Sequence, residues 1–319
     1  MLEHLRVALF GQATSPTADL YLLNALGTEG LRRPAPTVIE TDRALVIVRH
    51  HLGHRVAPAG RRLIYVLDDD VLAGPGDRSL PPGYRLKLDQ VERRAARRYL
   101  PRADLVVAST LTLAERLRPL ARGEVEVLRP FWAEPLPGAT PIAAPLRVGY
   151  LGSDTHAGDL RFLAPVLGRI LAAVPEAELW MPASLPLPRA LARHDRLRRI
   201  PAVSWPDWRR QITGLGLHLA LYPLLETPFN QTRSVNKLIE HGLSGAAGIY
   251  SESWAEVAHI RPGEGLTLPN SAEAWEEAVL HLLRHPPALA DLAEGGQHLA
   301  ARLNDPAPQR AFWPAHLFG

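Results

Sequence analysis

The sequence predicts an α/β chain built as two doubly wound, Rossmann-like domains that face each other across a cleft. Three observations carry this. Short apolar runs alternate with helical stretches along the whole 319 residues, the pattern of parallel sheets covered on both faces. The stretch WAEPLPGATPIAAP, 132–145, has four prolines and no periodicity, and reads as a linker. LRVGYLG from residue 146 then restarts the pattern that RVALFG opens at residue 6. The domains are expected at 1–135 and 142–319, with the last helix free to pack back on the first domain.

The elements follow in order. In the first half the apolar runs RVALF (6–10), ALVIV (44–48), LIYVL (63–67), DLVVAS (104–109) and EVEVL (124–128) are the expected strands, with helices near 17–27, 87–99 and 111–119. In the second half LRVGYL (146–151), ELWMP (178–182), RRIPAV (198–203), LHLALY (217–222) and GIYS (248–251) are the expected strands. Helices are expected near 158–174, 206–214, 233–244, 271–284 and 286–303. Ligands of such sheets bind beyond the carboxyl ends of the strands, so the loops there are the places to look for chemistry.

Composition narrows the class. Apolar residues make up 46% of the chain, enough for a sizeable core and against global disorder. The absence of cysteine excludes disulfides and thiolate metal sites, and together with MLEHLRVALFG, which reads as a strand and not a signal segment, points to a cytoplasmic chain. No apolar run is long enough to span a membrane. The net charge is +3 with a pI near 9.4, and basic residues cluster in QVERRAARRYLPR, 90–102. An ordinary solvated helix face is the plainer account of that cluster. The sharper one is a peripheral contact with anionic lipid at the inner membrane face. Nucleic acid is not expected, because the aromatic and glycine patterns of the common binding modules are missing.

Three loops could carry chemistry. In PFNQTRSVNKLIEHGLSG, 228–245, a helix of 100° per residue puts Arg233, Asn236, Lys237, Glu240 and Ser244 in one sector, with Val235, Leu238, Ile239 and Leu243 opposite. The polar stripe is expected to face out, with Thr232 or Ser234 as N-cap. Arg233 and Lys237 beside the helix start suit a bound anion, and Glu240 suits ribose hydroxyls, which is the layout for a nucleotide diphosphate. Lys237 is one of two lysines among 36 basic residues, so a compact ammonium is the choice at this position. In GSDTHAGDL, 152–160, Gly152 permits a tight turn, Ser153 and Thr155 offer hydroxyls and caps, and His156 could reach a phosphate or sugar oxygen. GxGxxG is absent. In LDDDV, 67–71, Asp68, Asp69 and Asp70 could hold acceptor hydroxyls or a divalent metal, with Asp68 capping the turn as the plain alternative. RHHLGH, 49–54, lacks the further ligands a zinc site needs.

The second half resembles the nucleotide-sugar domain of GT-B glycosyltransferases, in a bacterial subgroup of the retaining, group 1-like enzymes. The resemblance rests on Pro223, Leu224, Pro228, Phe229, Asn230, Arg233, Ser234, Lys237, Glu240, Gly245 and Ser251, and in the first half on LIYVLDDDVL and DLVVASTLTLAERL. It implies transfer of a hexosyl or related group from a nucleotide-diphosphate sugar to a glycan, lipid-linked or protein acceptor. It also implies retention of configuration and no metal or other cofactor. Catalysis falls to His156 and Lys237. Donor binding falls to Gly152, Ser153, Asn230, Thr232, Arg233, Ser234, Lys237 and Glu240, and the acceptor side to Gly11, Asp68, Asp69 and Asp70. Glu240 takes the place of the family's ribose-binding glutamate, while Thr232 stands where another glutamate would hold the sugar. Two other readings compete: a non-catalytic sugar-nucleotide-binding protein on the same fold, and a metal-dependent, GT-A-like transferase with LDDDV as its metal site on a single main sheet.

Overall fold

The computed structural model describes residues 15–51 and 60–319. The expected strand 6–10, Gly11 after it, and residues 52–54 of RHHLGH lie outside the described residues.

Among the described residues the chain forms two six-stranded sheets. The first runs β1 (Arg32–Ala35), β2 (Val38–Glu40), β3 (Ala44–Val48), β4 (Arg62–Leu67), β5 (Leu105–Ala108), β6 (Glu124–Val127), in that spatial order. Strands β3 to β6 are parallel, and β1 and β2 add antiparallel at one side. Both faces of β3, β4 and β5 are covered, which is why these three are apolar without alternation, whereas β6 is EVEV, alternating and half exposed. Val46, Val48, Ile64, Val66, Leu105 and Val107 enter one core cluster, and their neighbours Leu45, Ile47, Leu63, Tyr65, Val106 and Ala108 enter the other. The β1–β2 hairpin was not legible in the sequence. RRPA carries two arginines and a proline and is half exposed, as a strand at a sheet edge can be but a central one cannot.

The second sheet contains β7 (Leu146–Gly149), β8 (Ala177–Pro182), β9 (Leu197–Ile200), β10 (Leu219–Tyr222), β11 (Ala247–Ser251) and β12 (Leu266–Leu268). All neighbours are parallel and the order is β12-β11-β10-β7-β8-β9. The connections therefore diverge between β7 and β10. The loops leaving the carboxyl ends of these two strands lie side by side, forming the crevice where such sheets take ligands. A single main sheet, on which the GT-A-like reading depended, is not what the chain forms.

No regular strand or helix lies between Val127 and Leu146. A further helix, Ala307–Leu317, not among those the sequence pattern indicated, packs on the first domain. Trp313 Nε1 donates to Tyr21 O (2.6 Å), Gln309 Nε2 to Leu20 O (2.8 Å), and Thr41 Oγ1 to Leu317 O (2.8 Å).

Under the second sheet lies a buried aromatic group of Tyr222, His241, Tyr250 and Trp254. Burial holds the His241 imidazole down to about 3. A histidine kept neutral in the folded state stabilises above its unfolded value near 6.5 and loses that contribution as pH falls towards the folded value. The urea midpoint is therefore expected to drop between pH 6.5 and 4, and less steeply in His241→Phe. Parallel pH profiles for the two proteins would contradict this.

Candidate functional site

The loop after β7 runs Tyr150-Leu151-Gly152-Ser153 into the helix Ala157–Ala173. Gly152 is required by crowding: a Cβ there would sit 2.6 Å from the Tyr150 ring and 2.9 Å from His156 Cβ. His156 occupies the N-cap with its side chain buried, and its Nδ1 lies 2.9 Å from Asp159 Oδ2 one turn on. Burial lowers the His156 pKa below its ordinary value, although Asp159 opposes this. The ring is neutral at pH 7, with the proton on Nδ1 towards Asp159 and Nε2 left as an acceptor. Ser153 and Thr155 do not cap the helix as expected. Their hydroxyls bond each other at 2.7 Å, because the turn sends both towards solvent. Asp159 also accepts from Leu225 N (2.8 Å) and Asn230 Nδ2 (3.4 Å), so it ties the β7 and β10 loops together. Asn230 is almost wholly buried and spends its amide on Asp159 and on Leu225 O (2.9 Å).

The stretch 228–245 starts differently from the expectation. Pro228–Gln231 forms one helical turn, capped by Thr227 Oγ1 accepting from Asn230 N (3.1 Å). A helix from Asn236 to Leu243 follows, after Val235 and without a side-chain cap. Thr-Pro is the stronger start signal and takes the cap one turn early. Thr232 is fully buried and donates to Phe229 O (2.9 Å), so neither Thr232 nor Ser234 is the N-cap. Arg233 and Ser234 sit in the turn between the two helices. Nor does the polar stripe face solvent: Glu240 is 5% exposed and Ser244 not at all. Lys237 Nζ donates to Leu151 O (2.7 Å) and pairs closely with Glu240, whose other oxygen accepts from Trp208 Nε1 (3.2 Å). Trp132 Nε1 donates to Asn236 Oδ1 (2.8 Å), which fixes the helix start against the interdomain segment.

Across the crevice stands the loop after β4. Arg49, at the end of β3, has φ +58°, a conformation few side-chain-bearing residues adopt. Its guanidinium bonds Asp68 Oδ1 (2.6 Å), Asp69 Oδ2 (2.7 Å) and Glu92 Oε2 (2.6 Å). Asp69 Oδ1 accepts from Arg233 of the second domain at 3.0 Å. Burial alone would raise the Asp69 carboxyl, but Arg233 and then Arg49 hold it down to about 2. Asp68 is raised by burial, against the pull of Arg49, and accepts from Thr17 Oγ1 at 2.8 Å. The turn is capped by Asp70, not Asp68: Asp70 Oδ1 accepts from Leu72 N and Ala73 N, while Oδ2 pairs with Arg116 at 2.9 Å. Every acid of LDDDV thus has an arginine. Among the described residues no group of three or more acidic or histidine side chains is placed to hold a metal ion.

The sequence reading missed Arg49, Arg116, Asp159 and Trp208. Asp159 had a local signal, the one-turn spacing from His156. The others come together only through the fold. In the basic segment 90–102, Glu92 is wholly buried against Arg49 and Lys87 (3.2 Å), so this part of the helix faces inward. Arg94, Arg97 and Arg102 are exposed, as is Leu86 earlier in the same helical stretch, at 62%.

The two domains therefore bring a neutral imidazole, a lysine–glutamate pair and an arginine to one side of the crevice, and an arginine-bound pair of aspartates to the other. No protein-family model matches this chain, and no curated protein matches it by sequence. Solved structures do resemble it. TarM of S. aureus matches with a TM-score of 0.60 at 9% identity, over 82% of this chain and 51% of TarM. HepE of Anabaena, solved with UDP-glucose, matches with a TM-score of 0.56 at 15% identity, over 79% of this chain and 70% of HepE. Sucrose-phosphate synthase of Thermosynechococcus elongatus gives 0.52 at 16% identity, over 79% and 66% respectively. The chain thus spans about half of TarM and two thirds of the synthase. The two-sheet architecture is that of the GT-B fold.

Proposed function

We propose that this GT-B-fold chain is a glycosyltransferase that moves a sugar from a nucleotide-diphosphate sugar to a glycan, lipid-linked or protein acceptor, with retention and without a metal. The observation that carries the reading is the meeting of His156, Arg233, Lys237 and Glu240 at the point where the second sheet changes direction, opposite Asp68 and Asp69 of the first domain. Glu240 would take ribose hydroxyls in place of its Trp208 bond and keep its pair with Lys237. Arg233 and Lys237 would take the diphosphate, and neutral His156 would accept from a donor-sugar hydroxyl through Nε2. The bonds that Ser153, Asn230, Thr232 and Ser234 make are internal, and Gly152 is needed for its crowded turn, so the part of all five would be to shape the site. The likeness of fold to HepE, which was solved with UDP-glucose, supports the same ligand class.

A thermal-shift screen of nucleotide sugars, with and without Mn²⁺, tests the reading. A ligand at a hundredfold excess over its Kd stabilises by about 2.7 kcal/mol. Glu240→Gln is expected to weaken nucleoside-diphosphate binding by about 1.5–3 kcal/mol. Unchanged affinity would leave Glu240 a structural partner of Trp208. A non-catalytic binder is favoured by one feature, buried Thr232 in place of a sugar-holding glutamate. Hydrolysis of the bound nucleotide sugar, even slow, would exclude it. The exposed Arg94, Arg97, Arg102 and Leu86 support a peripheral contact with anionic lipid at the cytoplasmic face. Replacing the three arginines by glutamine should abolish sedimentation with phosphatidylglycerol vesicles and leave soluble turnover intact. Equal vesicle binding by both proteins would return them to an ordinary solvated face.

A further inference from the structure

Arg233 is the one donor-side residue whose charge is already taken by the opposite domain. Its Nη1 donates to Asp69 Oδ1 at 3.0 Å, and its guanidinium carbon lies 4.6 Å from the centroid of the Phe229 ring. Nε and Nη2 of the same guanidinium are buried and have no hydrogen-bond partner among the described residues. A buried guanidinium with two idle N–H groups is short of acceptors. The acid on the other side is not short of donors. Asp69 Oδ2 holds Arg49 Nη1 at 2.7 Å, and Arg49 is fixed in turn by Asp68 and Glu92. If Arg233 left, Asp69 would keep its bond to Arg49, which it shares with Asp68 and Glu92. If Asp69 left, Arg233 would keep none among these partners. Phe229, fully buried in the core cluster of the first domain, holds the arginine in place whichever partner it has.

Resting on the nucleotide-diphosphate reading above, we propose that Asp69 is the resting counter-ion of Arg233 and that a diphosphate displaces it. Arg233 passes to the anion and offers its idle N–H pair, a fork suited to phosphate oxygens. Asp69 stays on Arg49, with Oδ1 released to accept from a hydroxyl of the acceptor. Donor binding thereby prepares the acceptor side, and the acceptor follows the donor.

The test uses the full chain and inorganic pyrophosphate as probe, by titration calorimetry, so that neither base nor sugar enters. Asp69→Asn removes the competing charge and is expected to tighten pyrophosphate binding about tenfold, whereas Arg233→Gln weakens it by about as much. In the wild type, pyrophosphate is expected to speed hydrogen exchange in residues 66–72, and this decides the matter if Asp69→Asn does not fold. Weaker or equal binding by Asp69→Asn, or unchanged exchange in the wild type, would overturn the proposal, because the pair would then persist with the anion bound. The nucleotide-sugar screen separates the two ideas. If no nucleotide sugar binds but Asp69→Asn still binds pyrophosphate more tightly, the transferase reading falls and the exchange stands. If nucleotide sugars bind and Asp69→Asn gains nothing, the reverse holds.

Discussion

Lys237→Ala is expected to lower turnover by about a hundred- to a thousandfold while changing KM far less. The lysine is rigidly placed. Its ammonium donates to Leu151 O at the end of β7 and pairs with Glu240 one turn further along its own helix. On the proposed nucleotide-sugar reading, a diphosphate at this helix start carries charge in the ground state, and more develops on its leaving oxygen as the glycosidic bond breaks. A fixed cation therefore gains more in the transition state than on binding. One preorganised donor of this kind is worth about 2.7–4 kcal/mol. Lys237→Arg should recover only part, since the planar guanidinium cannot occupy the gap between Leu151 O and Glu240 as an ammonium does. Steady-state kinetics decide the matter. Normal turnover with a raised KM would mean that Lys237 binds substrate uniformly and does not stabilise the leaving group.

Trp313→Ala is expected to destabilise the chain by about 3–5 kcal/mol in urea unfolding. Trp313 is fully buried, packs edge-on against Phe312, and gives its indole N–H to Tyr21 O at 2.6 Å. The loss combines a large cavity with an orphaned carbonyl. It also reaches the crevice, because helix 16–26 carries Thr17, which donates to Asp68, and Asp19, which accepts from Trp205 Nε1 at 2.8 Å. Trp313→Phe keeps most of the packing and should cost about half as much or less. A loss under about 1 kcal/mol for the alanine variant would mean that the last helix docks only marginally on the first domain.

The parts of this protein that could be read in advance were those with a local cause. Apolar runs such as ALVIV and LHLALY are buried on both faces and had to be central strands. The helices 157–173 and 286–303 lie within a residue of where periodicity put them. Where the cause was weak the reading slipped. The strand RRPA has no apolar run to announce it, and Thr227-Pro228 takes a cap that Thr232 and Ser234 also offered.

The sequence by itself determined the central parallel strands of two sheets and the loops that could hold ligands, because strand and helix periods and turn residues act over a few positions. Only the tertiary structure decided the partners. Arg233 meets Asp69 across 164 residues, Lys237 meets Leu151 O across 86, and Arg49 gathers Asp68, Asp69 and Glu92. No local signal encodes such pairings. They follow from where the crossing connections of two sheets set the strand ends, and burial there makes each charge take the nearest opposite one, since an unpaired charge in the crevice would be costly.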